Sequence, residues 1–395
     1  MANNALLTPS LITKETLVIL QNNLVAAGKV NRKFENQFTK IGSTLTIRKP
    51  NKFVAVNGPA LSLQDIQEPS TSITISNQTH VDFQFTQQDL TLTIEEFSER
   101  YLKPAAETLA NAIDYGVLQN FSAVQNIVGT PGTLPASFAS LAAVGQRLDE
   151  GAVPQDGRVL ILNPAAYWSL ATALTTLYVK SVAEPALKGF LANIANFEIY
   201  MDQNVPVQTV GALGGTPTVT GAGQTGSSLV TGGWSNSVTG LLNVGDVFTI
   251  AGVFAINPQS RISTGTLQNF VVTATASSNG SGASTISIYP AITTTGPYQT
   301  VSASPANAAA ITVKTGAAAT SYAQNLAFVK DAFGLVVVPM ELPSGVDFAA
   351  REMVKNLSMT VVRAYDINST NFPCRMDILW GTATYYPELA CRLTN

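Results

Sequence analysis

Gly245-Asp246-Val247-Phe248-Thr249-Ile250-Ala251-Gly252-Val253 decides the reading of this chain because of the sequence around it. It lies within a stretch, Gln203 to Val329, where only Asp246, Arg261 and Lys314 carry charge. The stretch is built largely from Gly, Ala, Ser, Thr and Val. Three runs inside it read as short strands: Asp246 to Ile250, Asn269 to Ala274 and Thr285 to Tyr289. Turn residues separate them at the spacing of a small barrel. The segment from Gly211 to Gly233 reads as flexible Gly/Thr/Ser sequence leading into those strands. On both sides the chain returns to helical periodicity and ordinary charge. That pattern predicts a β-domain inserted into a host domain.

Working outward, residues 1–42 read as an arm with a short helical pattern from Leu17 to Val25, closed by Gly28. The arm carries too few hydrophobic residues for a core and needs another surface to lie on. Residues 43–94 read as extended. Thr44 to Arg48, Ser72 to Ile75 and His80 to Phe85 alternate with period two, and Lys49 to Ser70 holds Pro50, Gly58, Pro59 and Pro69. This predicts a long hairpin with a loop-rich tip, whose exposed edges invite association. The strongest helix falls within 95–128, about 25 residues long, with Pro104 in its first turn. A second helix covers Ser137 to Glu150. Arg158 to Leu162 is a buried central strand, and Pro164 opens another helix. Phe197 to Tyr200 is a strand leading into the insertion, and the host resumes near Ser321 with strands at 334–339, 357–362 and 375–380.

Composition narrows the class. The chain has 395 residues, 46% hydrophobic but only 12% charged, with a net charge of −3. A charge content about half the usual share implies burial against partners or lipid. No run reaches the roughly 18 apolar residues of a membrane span, and no basic region precedes an apolar leader. With no Lys/Arg cluster, phosphate-tracking nucleic-acid binding is not expected. Cys374 and Cys391 read as reduced, buried residues, not a disulfide framework.

Catalytic constellations are scarce. His80 is the single histidine, and no GxSxG nucleophile elbow or phosphate loop accompanies it. Glu95, Glu96 and Glu99 precede the long helix, where its dipole favours carboxylates. No catalytic, cofactor or metal residues are assigned.

The order of segments resembles the major capsid proteins of tailed bacteriophages, which have the Hong Kong phage-type capsid fold. It is most similar to the short-tailed-phage type carrying an inserted β-barrel. Glu107 to Ile113 resembles that family's spine helix, and Asn163-Pro164 with Tyr167 its axial strand-to-helix step. Asn196 to Tyr200, ending at Val205-Pro206, looks like the strand before the insertion, and Gly245 to Val253 like a barrel hairpin. Val361 to Asp366, Cys374 to Gly381 and Arg392 resemble the C-terminal signature.

The resemblance implies an α+β capsid fold: N-terminal arm, extended β-hairpin loop, long spine helix, peripheral and axial domains, and an inserted antiparallel β-barrel. The implied divisions are the arm at 1–42, the hairpin loop and adjoining peripheral strands at 43–94, and the spine helix and peripheral domain at 95–155. The axial domain follows at 156–209, the inserted barrel at 210–320, and at 321–395 the rest of the axial domain and the return to the peripheral domain. It also implies self-assembly into hexamers and pentamers of an icosahedral shell enclosing double-stranded DNA, without sequence-specific binding, catalysis, cofactor or membrane. The partners implied are a separate scaffolding protein, a portal protein and a decoration protein, with assembly in the host bacterial cytoplasm and residence in the virion. Arg48, Lys52 and Glu68 in the hairpin, with Asp246 and Arg261 in the insertion, are the candidate assembly residues. The alternatives are a bacterial nanocompartment shell, which would not need the insertion, and a β-rich fibre or adhesin.

Overall fold

The computed structural model describes residues 9–34, 44–86, 103–174, 191–346, 348–354, 357–366 and 371–395. The carboxylates Glu95, Glu96 and Glu99 and the first residues of the expected spine helix lie outside these ranges. The chain divides into two compact units. One contains residues 1–47, 70–117 and 333–383, and the other residues 48–69, 118–332 and 384–395.

The first unit is organised by a five-stranded sheet. Its strands are β3 (Asn77–Thr86), β16 (Phe333–Val338), β17 (Phe348–Val354), β18 (Leu357–Arg363) and β19 (Asn371–Thr384), in the order β16-β19-β18-β17 with β3 also on β19. A separate pair, β1 (Thr44–Arg48) and β2 (Ser70–Thr74), forms the base of the long hairpin. Helix α2 (Lys103–Leu118) buries Ala106, Leu109, Ala110, Ile113 and Val117, the stripe that its 3.6-residue period dictates. Gly116 lets α2 seat against Trp380. A Cβ there would stand 2.1 Å from the indole, whose Nε1 donates to Thr79 Oγ1 at 2.9 Å.

The arm departs from its sequence reading. Its helix α1 spans Pro9–Asn23, starting earlier and ending sooner than the Leu17–Val25 pattern suggested. It lies on β17 and β18 of its own chain, burying Leu17 and Leu20 completely. The turn after it is held by Asp114 of α2, whose carboxylate accepts from Val25 N and Ala27 N, both at 2.7 Å. Two backbone donors at one carboxylate give the thin arm an anchor that apolar counting does not register.

The second unit holds a seven-stranded sheet and a barrel. The sheet runs β4 (Ile127–Val128), β20 (Ala390–Thr394), β15 (Ser321–Val329), β5 (Arg158–Leu162), β7 (Phe197–Met201), β6 (Leu191–Ile194), with β8 (Val207–Thr209) also on β15. All five β5 residues are buried, as expected of a central strand covered on both faces. Helices α3 (Phe138–Glu150) and α4 (Pro164–Leu174) pack on the sheet through Leu141, Val144, Leu148, Tyr167 and Leu170.

The barrel strands are β9 (Gly215–Val219), β10 (Gly226–Trp234), β11 (Val247–Ile256), β12 (Ser263–Val272), β13 (Ser284–Ile292) and β14 (Ile311–Val313), ordered β14-β11-β12-β13-β10-β9. Val219 N to Ala309 O and Ala308 N to Val219 O, both 2.9 Å, draw β9 towards the residues preceding β14 and nearly close the ring. Inside, Phe248 and Phe270 are fully buried with ring centroids 6.0 Å apart. Each contributes roughly 2–3 kcal/mol by burial.

The flexible reading of Gly211 to Gly233 is corrected here, since β9 and β10 lie in that stretch. Only Leu229, Thr231 and Trp234 of β10 are buried, and a register shift between Gly232 and Trp234 breaks the period of two. The glycines serve close backbone approach: a Cβ on Gly215 would lie 2.3 Å from Gly233 O, and one on Gly233 2.5 Å from Thr216 O.

Candidate assembly site

The candidate residues fall into two groups, the projecting hairpin loop and the root of the barrel. They all belong to the second unit.

At the loop, Lys49 N donates to Pro69 O at 2.8 Å, closing the neck, and Arg48 Nη1 pairs with Glu68 Oε2 at 2.9 Å. This ion pair is exposed on both sides, so it adds little stability. Above the neck the Gln64 amide both donates to and accepts from the Val54 backbone, standing in for a strand partner. Lys52 lies with its ammonium 6.0 Å from the centre of the Tyr298 ring. Between these ties the loop shows Phe53, Val56, Leu61, Leu63 and Ile66 to solvent, with Leu61 and Leu63 both more than 80% exposed. Isolated surface leucines need no explanation, but five large apolar side chains on one short loop do.

At the root, Asp246 follows Gly245, whose φ of +91° favours glycine. Its carboxylate is fully buried. Oδ2 accepts from Gly211 N at 2.9 Å and Asn243 N at 2.8 Å, and Oδ1 from Gln208 Nε2 at 3.0 Å and Thr315 Oγ1 at 3.3 Å. One side chain thus joins the segment entering the barrel to the segment leaving it. Burial raises its pKa above the usual carboxylate range, and the four hydrogen bonds oppose that shift. Arg392, also fully buried, donates to Gly245 O at 2.8 Å, and its guanidinium lies over the Phe121 ring. Burial lowers its pKa to about 9, against the opposing pull of Asp246. The sequence reading cited Arg392 only within a C-terminal signature; a lone Arg in an apolar strand was the signal available.

Arg261 sits elsewhere, in the turn between β11 and β12, with φ +60°. It donates to Gly296 O at 2.8 Å and Pro297 O at 2.6 Å. The five candidates therefore do not form one cluster.

The concavities show no reaction centre among the described residues. The first unit carries an open groove of about 800 Å³, lined by Phe83, Met340, Val362, Pro373 and Cys374 with Asp377 beside them. Arg375 Nε donates to both Asp377 oxygens, and Gln78 Nε2 adds a second donor. The second unit has a cavity of about 150 Å³ whose polar groups largely pair with one another: Arg147 with Glu150 and Thr266, Tyr289 with Glu388. His80 is half exposed and pairs with Asp82 at 2.9 Å. No group of three His, Cys, Asp or Glu among the described residues is placed to hold a metal, and no helix there is long and apolar enough to cross a membrane.

Residues 1–393 match the family model described as "P22 coat protein - gene protein 5". No curated protein sequence matches. Among solved structures, the chain is similar to one from Mycobacterium phage Che8, with 13% identity, 94% of this chain and 90% of that chain covered, and a TM-score of 0.48. It is also similar to the capsid of Ralstonia phage GP4, with 9% identity, 92% and 86% covered, and a TM-score of 0.46. A third similarity is to the mature capsid of bacteriophage PhiM1, with 8% identity, 89% and 81% covered, and a TM-score of 0.43. The family match spans nearly the whole chain, inserted barrel included, so the chain belongs to the P22 coat protein family and is a structural, non-catalytic major capsid protein of a tailed bacteriophage.

Proposed function

We propose that copies of this chain associate as hexamers and pentamers in an icosahedral shell around double-stranded DNA, and that the hairpin loop at 53–66 is a principal contact between copies. The observation carrying this reading is the exposed set Phe53, Val56, Leu61, Leu63 and Ile66 on a loop braced at its neck. Covering that set on a second copy removes apolar surface from water at roughly 25 cal/mol per Å². Net charge −3 and the absence of a basic cluster in the sequence suit a container that holds DNA without gripping its phosphates.

The remaining parts of the reading are what the resemblance to tailed-phage coat proteins implies. The chain's partners are a separate scaffolding protein, a portal protein and a decoration protein, with assembly in the host cytoplasm. Arg48, Lys52 and Glu68 stiffen the loop's neck, while Asp246 and Arg261 act within the insertion at 210–320.

The test is sedimentation and electron microscopy of the full chain, alone and with its scaffolding partner. Closed particles or capsomers are expected, and their loss in Leu61→Ser/Leu63→Ser with the subunit still folded. A parent chain that stays monomeric at all concentrations, or a double variant that assembles normally, rejects the reading.

A further inference from the structure

The loop's neck is tied to the barrel of its own chain. The Tyr298 hydroxyl lies 2.8 Å from Asn51 Oδ1 on the ascending arm and 3.0 Å from Gln67 O on the descending arm, with Lys52 N at 3.4 Å. A phenol carries one proton and can serve one acceptor at a time. Asn51 Nδ2 is buried without a partner. With the Asn51 amide turned over, Nδ2 donates to the phenol oxygen, which passes its own proton to Gln67 O, and Lys52 N exchanges its 3.1 Å bond to Asn51 Oδ1 for the phenol oxygen. Such amide orientations are assigned from hydrogen-bond logic. In either orientation one hydroxyl spans both arms of the neck.

Tyr298 is itself held in place. The two carbonyls immediately before it, Gly296 O and Pro297 O, accept from Arg261. Arg261 N donates to Asn257 O at 2.9 Å, and Asn257 Nδ2 donates to Glu150 O at the end of α3, at 3.1 Å. A continuous set of polar contacts thus runs from α3 through both barrel turns to the hairpin neck. A left-handed Arg is an uncommon arrangement for a turn. Here it aims the guanidinium at the neighbouring turn.

We infer that the inserted barrel sets the course of the projecting loop, with Tyr298 clamping the loop's neck and Arg261 acting as the positioning residue for Tyr298. This rests on the reading of residues 53–66 as an intersubunit contact. Arg261 does not touch the loop, so its influence must pass through the 296–298 turn.

The test is hydrogen exchange on the unassembled full-length subunit, followed by assembly. Tyr298→Phe keeps the ring and removes only the hydroxyl. Arg261→Asn tolerates the left-handed backbone but cannot reach the two carbonyls. Both variants are expected to speed exchange of the 49–54 and 66–69 amides about fivefold, the effect of losing one ordinary hydrogen bond. Exchange in the seven-stranded sheet should stay unchanged, and the yield of closed particles should fall. The double variant should exceed neither single variant by much, since both act through one contact. Parent-like exchange at the neck in Tyr298→Phe overturns the clamp. Faster exchange with parent-like particle yield overturns its role in positioning. Neither result affects the Leu61/Leu63 test, so failure of the clamp and failure of the docking reading are distinguishable.

Discussion

Asp246 and Arg392 are fully buried charges at the root of the barrel, and they meet around a peptide group, not as a direct ion pair. Arg392 donates to Gly245 O, while the Asp246 carboxylate turns to the Gly211, Asn243, Gln208 and Thr315 donors. The two differ in how well they are satisfied. Every Asp246 oxygen has partners, whereas Arg392 Nε and Nη2 have none.

Asp246→Ala should therefore be costly. It strands two backbone N–H groups in a buried site, and we expect about 3 kcal/mol of destabilisation by urea unfolding of the full chain. Asp246→Asn keeps one oxygen for the two backbone donors and should cost roughly half as much. The parent also carries a pH signature. Its carboxyl pKa is raised above the usual 3.8, so its contribution is fullest below that value and is lost as pH rises through the folded pKa. The parent's advantage over Asp246→Asn should shrink as pH rises above 3.8. An advantage that grows with pH would contradict the burial argument.

Arg392→Met should be milder. The guanidinium donates one hydrogen bond, to Gly245 O, and leaves two buried nitrogens unpaired, and an apolar side chain of similar volume ends that cost. We expect a change within about 1.5 kcal/mol of the parent in either direction. A loss as large as that of Asp246→Ala would show that the Arg392 charge stabilises the root.

This contrast marks how far the sequence could be read. β5, β7, β13 and helices α3 and α4 were legible because apolar runs or clean periods mark them and Pro or Gly stands near their ends, whereas β15, which begins where the host resumes, carries no such punctuation. β10 was not: Thr231 faces inward, and the shift at Gly232 interrupts the alternation. Thr231 is tolerated inside because its hydroxyl donates to Ser284 O and accepts from Trp234 Nε1, a pairing no local pattern reveals. Asp246 was legible as a turn carboxylate beside Gly245. Its partners Gly211 and Thr315 lie 35 and 69 positions away and needed the fold. Tyr298 escaped notice because a lone tyrosine in a turn carries no sequence signal.

The thiols give a test in the alkaline range. Burial pushes both Cys374 and Cys391 from 9.0 up to about 12. A group whose folded pKa is raised gives its full contribution below the unfolded value and loses it as pH rises towards the folded one. Stability should therefore fall from pH 9 towards 12, by at most about 1.4 kcal/mol per pH unit per thiol. Denaturant midpoints of Cys391→Ala and Cys374→Ala should show a shallower fall than the parent across that window. Identical slopes would mean that the thiols ionise freely in the folded protein. Maleimide at pH 8 should leave both unlabelled until the chain is unfolded.

The last prediction is that residues 210–320 fold alone. All six barrel strands lie between Gly215 and Val313. The ends of the segment are already joined, Val210 N to Thr320 O at 3.0 Å and Ala319 N to Gly211 O at 3.1 Å, so excision does not pull them apart. Of the four Asp246 donors, Gly211, Asn243 and Thr315 travel with the segment and only Gln208 stays behind. The cluster around Phe248, Phe270 and Trp234 lies wholly within it. Excision costs the small contact of Val247 and Val271 with Ile127, the bond from Arg392 to Gly245 O, and the side-chain ties of Asn257, Thr266, Tyr289 and Tyr298 to Glu150, Arg147, Glu388 and the loop neck. The isolated segment should thus give dispersed amide NMR signals with β-type shifts and unfold cooperatively, at a lower denaturant concentration than the full chain. Asp246→Ala should weaken it further. A random-coil spectrum for the parent segment would show that the host sheet, and not the ring of strands, makes the barrel fold.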